Sequence, residues 1–183
     1  MPATTQIRRY RPPDERSWLR CRVLSFLDTA YFDDVWTTRP NSPAIQLVAV
    51  TEGEVVGLLD VEIEGDLATI DTVAIHPDHQ GRGIGTHLLE MARTQLPASV
   101  TTLDAWTRDD PATLAWYHRR GFEESEHYLH VYKGDAEPSE GWVTPAPLSS
   151  PITAFCHASL EHESELRSRF ARVHVCRRFS QPV

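Results

Sequence analysis

Apolar positions along this chain switch between helical spacing and strand-like alternation, and the switches mark out its elements. Ile7–Arg11 reads as a short extended segment stopped by Pro12-Pro13. Asp14 stands where a helix N-cap would, and Trp18, Leu19, Val23, Leu24 and Leu27 follow at helical spacing. A shorter helix is expected over Thr29–Trp36, closed by Arg39-Pro40. Ile45–Val50 and Val55–Ile63 are rich in β-branched residues, and the Thr51-Glu-Gly-Glu54 join reads as a hairpin. Gly65-Asp66 turns the chain again into Leu67–Ile75, giving three antiparallel strands in succession.

The period then changes. A glycine-rich loop, His76–Gly83, leads into a helix whose Ile84, Leu88, Leu89, Ala92 and Leu96 share one face, ended by Pro97. Val100–Trp106 reads as a strand. Asp110-Pro111 supplies an N-cap and a first-position proline for a helix that Gly121 closes, and Tyr128–Lys133 reads as a strand. Residues 134–151 carry two Gly, four Pro and three Ser and read as a linker. Beyond it Ile152–His157 is extended, Leu160–Phe170 helical and Ala171–Phe179 extended. The expected organisation is a domain over residues 1–133, the linker, and an extension over 152–183 packed on the domain or on a second subunit. The fold class is α/β of the α+β type: a mixed, mostly antiparallel sheet flanked by helices.

Composition narrows the partners. Eighteen Lys+Arg against 26 Asp+Glu leave a formal charge of −8, which disfavours a nucleic-acid backbone and favours cationic partners. No apolar run approaches a membrane span, and Met1–Arg9 has no signal-peptide core. Cys21, Cys156 and Cys176 are odd in number and lack CxxC spacing, as expected of reduced thiols in a cytoplasmic protein.

The chemistry concentrates in Val73-Ala-Ile-His-Pro-Asp-His-Gln-Gly-Arg-Gly-Ile-Gly-Thr86. A strand enters a turn whose glycines leave backbone N–H groups open, immediately before a helix N-terminus, and Arg82 adds a positive charge. That arrangement suits a phosphate or pyrophosphate. No Gly-Lys pair exists, so it is not a P-loop. The Gly81-x-Gly83-x-Gly85 spacing, after antiparallel strands, is not a Rossmann fingerprint. His76-x-x-His79 with Asp78 reads as a surface loop, and no metal site is expected.

At these residues the chain resembles the GNAT superfamily of acetyl-CoA-dependent N-acetyltransferases. The family pattern Gln/Arg-x-x-Gly-x-Gly/Ala is matched by Gln80-Gly-Arg-Gly83-Ile-Gly85, after the strand-and-turn Val73-Ala-Ile-His-Pro77. A second pattern, ending in Tyr four residues before Gly-Phe, is matched by Asp110-Pro-Ala-Thr-Leu-Ala-Trp-Tyr117-His-Arg-Arg-Gly121-Phe122. The resemblance covers roughly Ile7–Lys133. Asp110 stands where many relatives have Asn and is given no coenzyme role.

The resemblance implies a sheet that splays beside its central strand, with acetyl-CoA as co-substrate in the gap. Val73, Ala74 and Ile75 would meet the pantetheine arm and thioester; Gln80, Gly81, Arg82, Gly83, Ile84, Gly85 and Thr86 would hold the pyrophosphate. Tyr117 takes the general-acid position, and a phenol with a pKa of about 10 stays protonated at neutral pH. Asp71 is the first choice for the base, with holding the substrate's cation as its other reading; Glu62, Glu64, Asp104 or a water relay are the fallbacks. Tyr31, Asp33, Asp34 and Trp36 are assigned to the acceptor. The acceptor is a small-molecule amine or a peptide amine, and transfer is direct, in a ternary complex. The competing functions are a non-catalytic CoA-binding regulatory or scaffolding module and a nicotinamide oxidoreductase. A homodimer through the extension is a further expectation.

Overall fold

The computed structural model describes residues 4–39 and 43–183. Pro40, read above as closing a helix, and the first three residues, read as lacking a signal-peptide core, lie outside them. The strands are β1 (Gln6–Arg9), β2 (Ile45–Thr51), β3 (Glu54–Glu64), β4 (Leu67–Ile75), β5 (Thr102–Thr107), β6 (Glu123–Lys133), β7 (Ala154–Ala158) and β8 (Arg172–Pro182). The helices are α1 (Glu15–Phe26), α2 (Ile84–Arg93), α3 (Pro111–His118) and α4 (Glu163–Arg169). The strands form one sheet in the order β1-β2-β3-β4-β5-β8-β6-β7. Only β4–β5 is parallel, so the expected mixed, mostly antiparallel sheet flanked by helices is what forms.

Each face of the sheet is covered by the helix whose apolar stripe fits it. Trp18 and Cys21 of α1 pack on Val48, Val55, Leu58 and Ala74. Ile84, Leu88, Leu89 and Ala92 of α2 pack on the opposite face, against Leu47, Leu59, Val61 and Ile70. Burying each such Leu contributes about 1.5–3 kcal/mol, so the α2 stripe alone fixes the direction in which the glycine loop before it points. Tyr117 of α3 joins the same core, beside Phe122 and Phe179.

One expectation is revised. Thr29–Trp36 is a series of turns. Its adjacent acids are pulled apart: Asp33 accepts from Arg172 at 2.5 and 2.8 Å, and Asp34 from Arg22 at 2.6 Å. Those long-range pairs outcompete a short helix, which is costly to nucleate. The last strand belongs to the same sheet as the others. β8 lies inside the sheet, paired to β5 from Thr102↔Pro182 to Thr107↔Arg177 and to β6 along Glu123–Tyr132. Residues 134–171 therefore leave and re-enter one continuous sheet. α4 and the linker's Trp142 cover a third apolar cluster around Leu129, Val131, Phe170, Val173 and Val175.

Candidate active site

The parallel pairing of β4 with β5 runs only from Leu67↔Thr102 to Ile70↔Ala105. At that level β4 carries a bulge: Val61 pairs with Ile70 and Asp60 with Thr72, leaving Asp71 without a partner on β3. A bulge bends its strand and re-aims side chains. Here it also breaks the strict alternation of a strand, because Ile70 and then Val73 and Ile75 lie on the α2 side of the sheet. Past the bulge the two strands separate, and Asp71–Ile75 and Trp106–Thr107 line a cleft of about 830 Å³.

One wall is the glycine loop. Gly81 (φ 72°) and Gly83 (φ 78°) take left-handed backbone conformations, Gly83 as the N-cap of α2. A side chain at Gly83 would meet only His87, at 3.7 Å, so this position needs glycine for its backbone conformation rather than for space. Gln80, Gly81, Gly83, Ile84, Gly85 and Thr86 all border the cleft. Arg82 does not: its guanidinium turns back to donate to the Asp78 carbonyl at 2.7 Å. The Gln80 side chain donates to the Ile75 carbonyl at 3.1 Å, on the edge where β4 has no strand neighbour.

Tyr117 borders the cleft from α3 and is 3% exposed. Its ring is boxed by Trp116, Phe122 and Phe179, with centroids 5.0, 5.3 and 5.4 Å away. Burial lifts its hydroxyl well above the ordinary phenol range, and the nearby Tyr31 and Asp104 push the same way. At neutral pH the resting group is therefore the protonated phenol, able to donate its proton. Among the described residues the hydroxyl has no hydrogen-bond partner.

A profile of the GNAT acetyltransferase domain matches residues 42–124, spanning β2 to the start of β6 and both motifs. Over those residues the chain matches the GNAT acetyltransferase domain. The spore coat polysaccharide biosynthesis protein SpsD of Bacillus subtilis is 34% identical over 98 residues, covering 50% of this chain and 33% of SpsD. The chain thus spans about a third of that relative's length. An acetyltransferase of Sodalis glossinidius is 27% identical over 125 residues, covering 67% of this chain and 87% of its own. Among solved structures, the ribosomal-protein-S18-alanine N-acetyltransferase of Escherichia coli superposes with a TM-score of 0.62 at 16% identity, over 98% of this chain and 94% of that one. A GNAT family acetyltransferase of Elizabethkingia anophelis with acetyl-CoA bound gives 0.53 at 14% identity, over 98% of each chain. These likenesses establish the fold.

Around this cleft the candidate bases separate cleanly. Asp71 is exposed and lines the cleft, with its Oδ2 accepting from the Thr72 hydroxyl at 3.1 Å. Glu62 and Glu64 are exposed on β3 beyond the register shift at Asp60/Val61 and do not border the cleft. Asp104 is buried and accepts from Arg178 Nε at 2.5 Å, an ion pair that removes it from the list.

The acceptor candidates also divide. Tyr31, Asp34 and Trp36 line the cleft; Asp33 does not, being tied to Arg172. The Tyr31 hydroxyl accepts from the Arg108 N–H at 3.0 Å. Asp34 takes Arg22 and the Trp36 indole N–H, the latter at 3.0 Å, and Trp36 stacks on Trp18 with centroids 5.9 Å apart.

Among the cleft residues that escaped the sequence reading are Arg119 and Arg120 at the end of α3, Asp28 after α1, and Trp106 on β5. The Arg120 guanidinium lies 4.3 Å from the Trp116 ring centre, donates to the Trp116 carbonyl at 3.0 Å, and reaches the Thr86 hydroxyl on α2. The signal for it was present, an Arg-Arg doublet closing a helix beside the anion loop, but the doublet is equally suited to complementing a helix C-terminus. Asp110 behaves as expected, its Oδ2 accepting from the Thr113 N–H at 2.8 Å to cap α3. Among the described residues no three metal-ligating side chains cluster.

Proposed function

We propose that this protein moves an acetyl group from acetyl-CoA to an amine by direct transfer in a ternary complex. The observation that carries the reading is the splay of β4 from β5, which opens a single cleft bordered by the exposed Asp71, the buried Tyr117 and the glycine loop. The donor set fits the coenzyme: left-handed glycines at a helix N-terminus with Arg119 and Arg120 nearby suit phosphates. Acetyl-CoA supplies the thioester carbonyl that is attacked.

Within this reading, Asp71 takes a proton from the acceptor nitrogen as that nitrogen bonds to the acetyl carbon. Backbone N–H groups around Ala74, on the β4 edge without a strand neighbour, favour the negative charge that develops on the carbonyl oxygen. As the carbon–sulfur bond breaks, Tyr117 gives its proton to the departing sulfur. Among the described residues no helix is long and apolar enough to cross a membrane, and three free cysteines fit a reducing, cytoplasmic setting. β7 is the outer strand of the sheet and carries the exposed Phe155, which supports self-association through the extension.

The test is thiol release from acetyl-CoA across an amine panel, alongside coenzyme affinity by calorimetry. Amine-dependent release confirms transfer. Tight coenzyme binding with no release for any amine would turn the protein into a binding module, and stabilisation by NAD(P) but not by acetyl-CoA would turn it into an oxidoreductase.

A further inference from the structure

The cleft is electrically divided. On the side of α2 and α3 it offers Arg119, Arg120 and the loop amides, with the Asp110 carboxylate there turned to Thr113 at the cap of α3. On the side of α1 it is lined by Arg22, Asp28, Asp34 and Asp71. Arg22 and Asp34 cancel, at 2.6 Å. Among the described residues, neither Asp28 nor Asp71 has a cationic group within 4 Å. Both are exposed. The acceptor side therefore holds two unmatched carboxylates, whereas the coenzyme side holds two unmatched guanidinium groups.

The same side is walled by aromatic rings. Phe26, Tyr31, Trp36 and Trp106 all border the cavity. One of them already faces a cation: Arg22 sits 3.5 Å from the Trp36 ring centre. Aromatic faces beside carboxylates suit alkylammonium groups, which the ring quadrupole and the negative charge attract together. A monoamine would engage Asp71 as it gives up its proton and leave Asp28 without a partner.

Building on the acetyl-transfer reading, we propose that the acceptor is a diamine, whose second ammonium is held on the α1 side of the cleft with Asp28 as the specificity-determining carboxylate. The net charge of −8 serves the same end, drawing a dication toward the protein.

Three probes of similar length separate the possibilities: putrescine, butylamine and 4-aminobutanoate, each assayed by thiol release. The expected order of kcat/KM is putrescine, then butylamine, then 4-aminobutanoate, with about tenfold between the first two. That gap shrinks near 1 M salt, where the screening length falls to roughly 3 Å. Asp28→Asn lowers kcat/KM for putrescine more than for butylamine and so narrows their ratio. Putrescine should also raise the melting temperature of the CoA-bound protein where butylamine does not, a readout free of turnover. Equal use of putrescine and butylamine, or preference for 4-aminobutanoate, overturns the diamine inference and leaves acetyl transfer standing. A putrescine preference unmoved by Asp28→Asn overturns the role of Asp28. No release with these or any other amines overturns acetyl transfer itself.

Discussion

Tyr117 and Phe179 stack face to face, their ring centroids 5.4 Å apart and their planes within 13°. The candidate acid is thus held by the last strand of the chain, 62 residues later, and Phe179 is itself fully buried. Tyr117→Phe keeps this stack and removes only a hydroxyl that has no partner. kcat should fall on the order of 10²-fold while coenzyme affinity and melting temperature hold, as steady-state kinetics and calorimetry would report. An unchanged kcat would remove Tyr117 from the mechanism.

Phe179→Ala opens a cavity behind Tyr117. A loss of about 3–5 kcal/mol in urea unfolding is expected, because the surrounding sheet cannot collapse into the space. A chain ending at Lys133 goes further: β5 and β6 lose the strand between them. It should show no cooperative thermal transition by circular dichroism, and a native-like transition would contradict the sheet order.

Asp71→Asn separates the two readings of that carboxylate. As the base, its loss lowers kcat by roughly 10²-fold and flattens the acid limb of the pH–rate profile. As a holder of the substrate's cation, its loss raises KM for the amine and leaves the profile's shape alone. The base outcome is expected, since Asp71 is the one candidate carboxylate at the bulge where the cleft begins.

Arg120→Met keeps an apolar contact with Trp116 and deletes the charge and the link to Thr86. KM for acetyl-CoA should rise about tenfold, the scale of one charge-assisted hydrogen bond, with kcat at saturation nearly unaltered. Equal CoA affinity by calorimetry would exclude Arg120 from the coenzyme site.

Acid sensitivity has an identified source in His130. Burial pushes its pKa down to about 4, and the Arg108 charge, whose Nε donates to His130 Nδ1 at 3.2 Å, acts in the same direction. The unfolded chain takes up this proton near pH 6.5 and the folded one only near 4, so the unfolded state binds more protons between them. Stability therefore falls as pH drops through that window, by on the order of 2–3 kcal/mol at its lower end. His130→Gln should flatten the melting temperature between pH 6.5 and 4; an unaltered slope would exonerate this residue.

Local elements and the glycine loop were legible in the chain before any fold was known. Helical and alternating periods, the Asp110-Pro111 start and the glycines around Arg82 are set by neighbours a few residues apart, and α2, β4 and the cap of α3 formed where they were read. Tertiary structure decided everything that depends on distant partners. It placed β8 between β5 and β6, because backbone pairing carries no marker in a strand's own residues. It drew Asp33 to Arg172 and Asp104 to Arg178, away from the cleft, since buried or half-buried carboxylates go to the nearest guanidinium the fold brings. It also brought Arg119 and Arg120 beside the loop and left Asp71 at a bulge, because a bulge arises from a mismatch between two strands and neither strand encodes it alone.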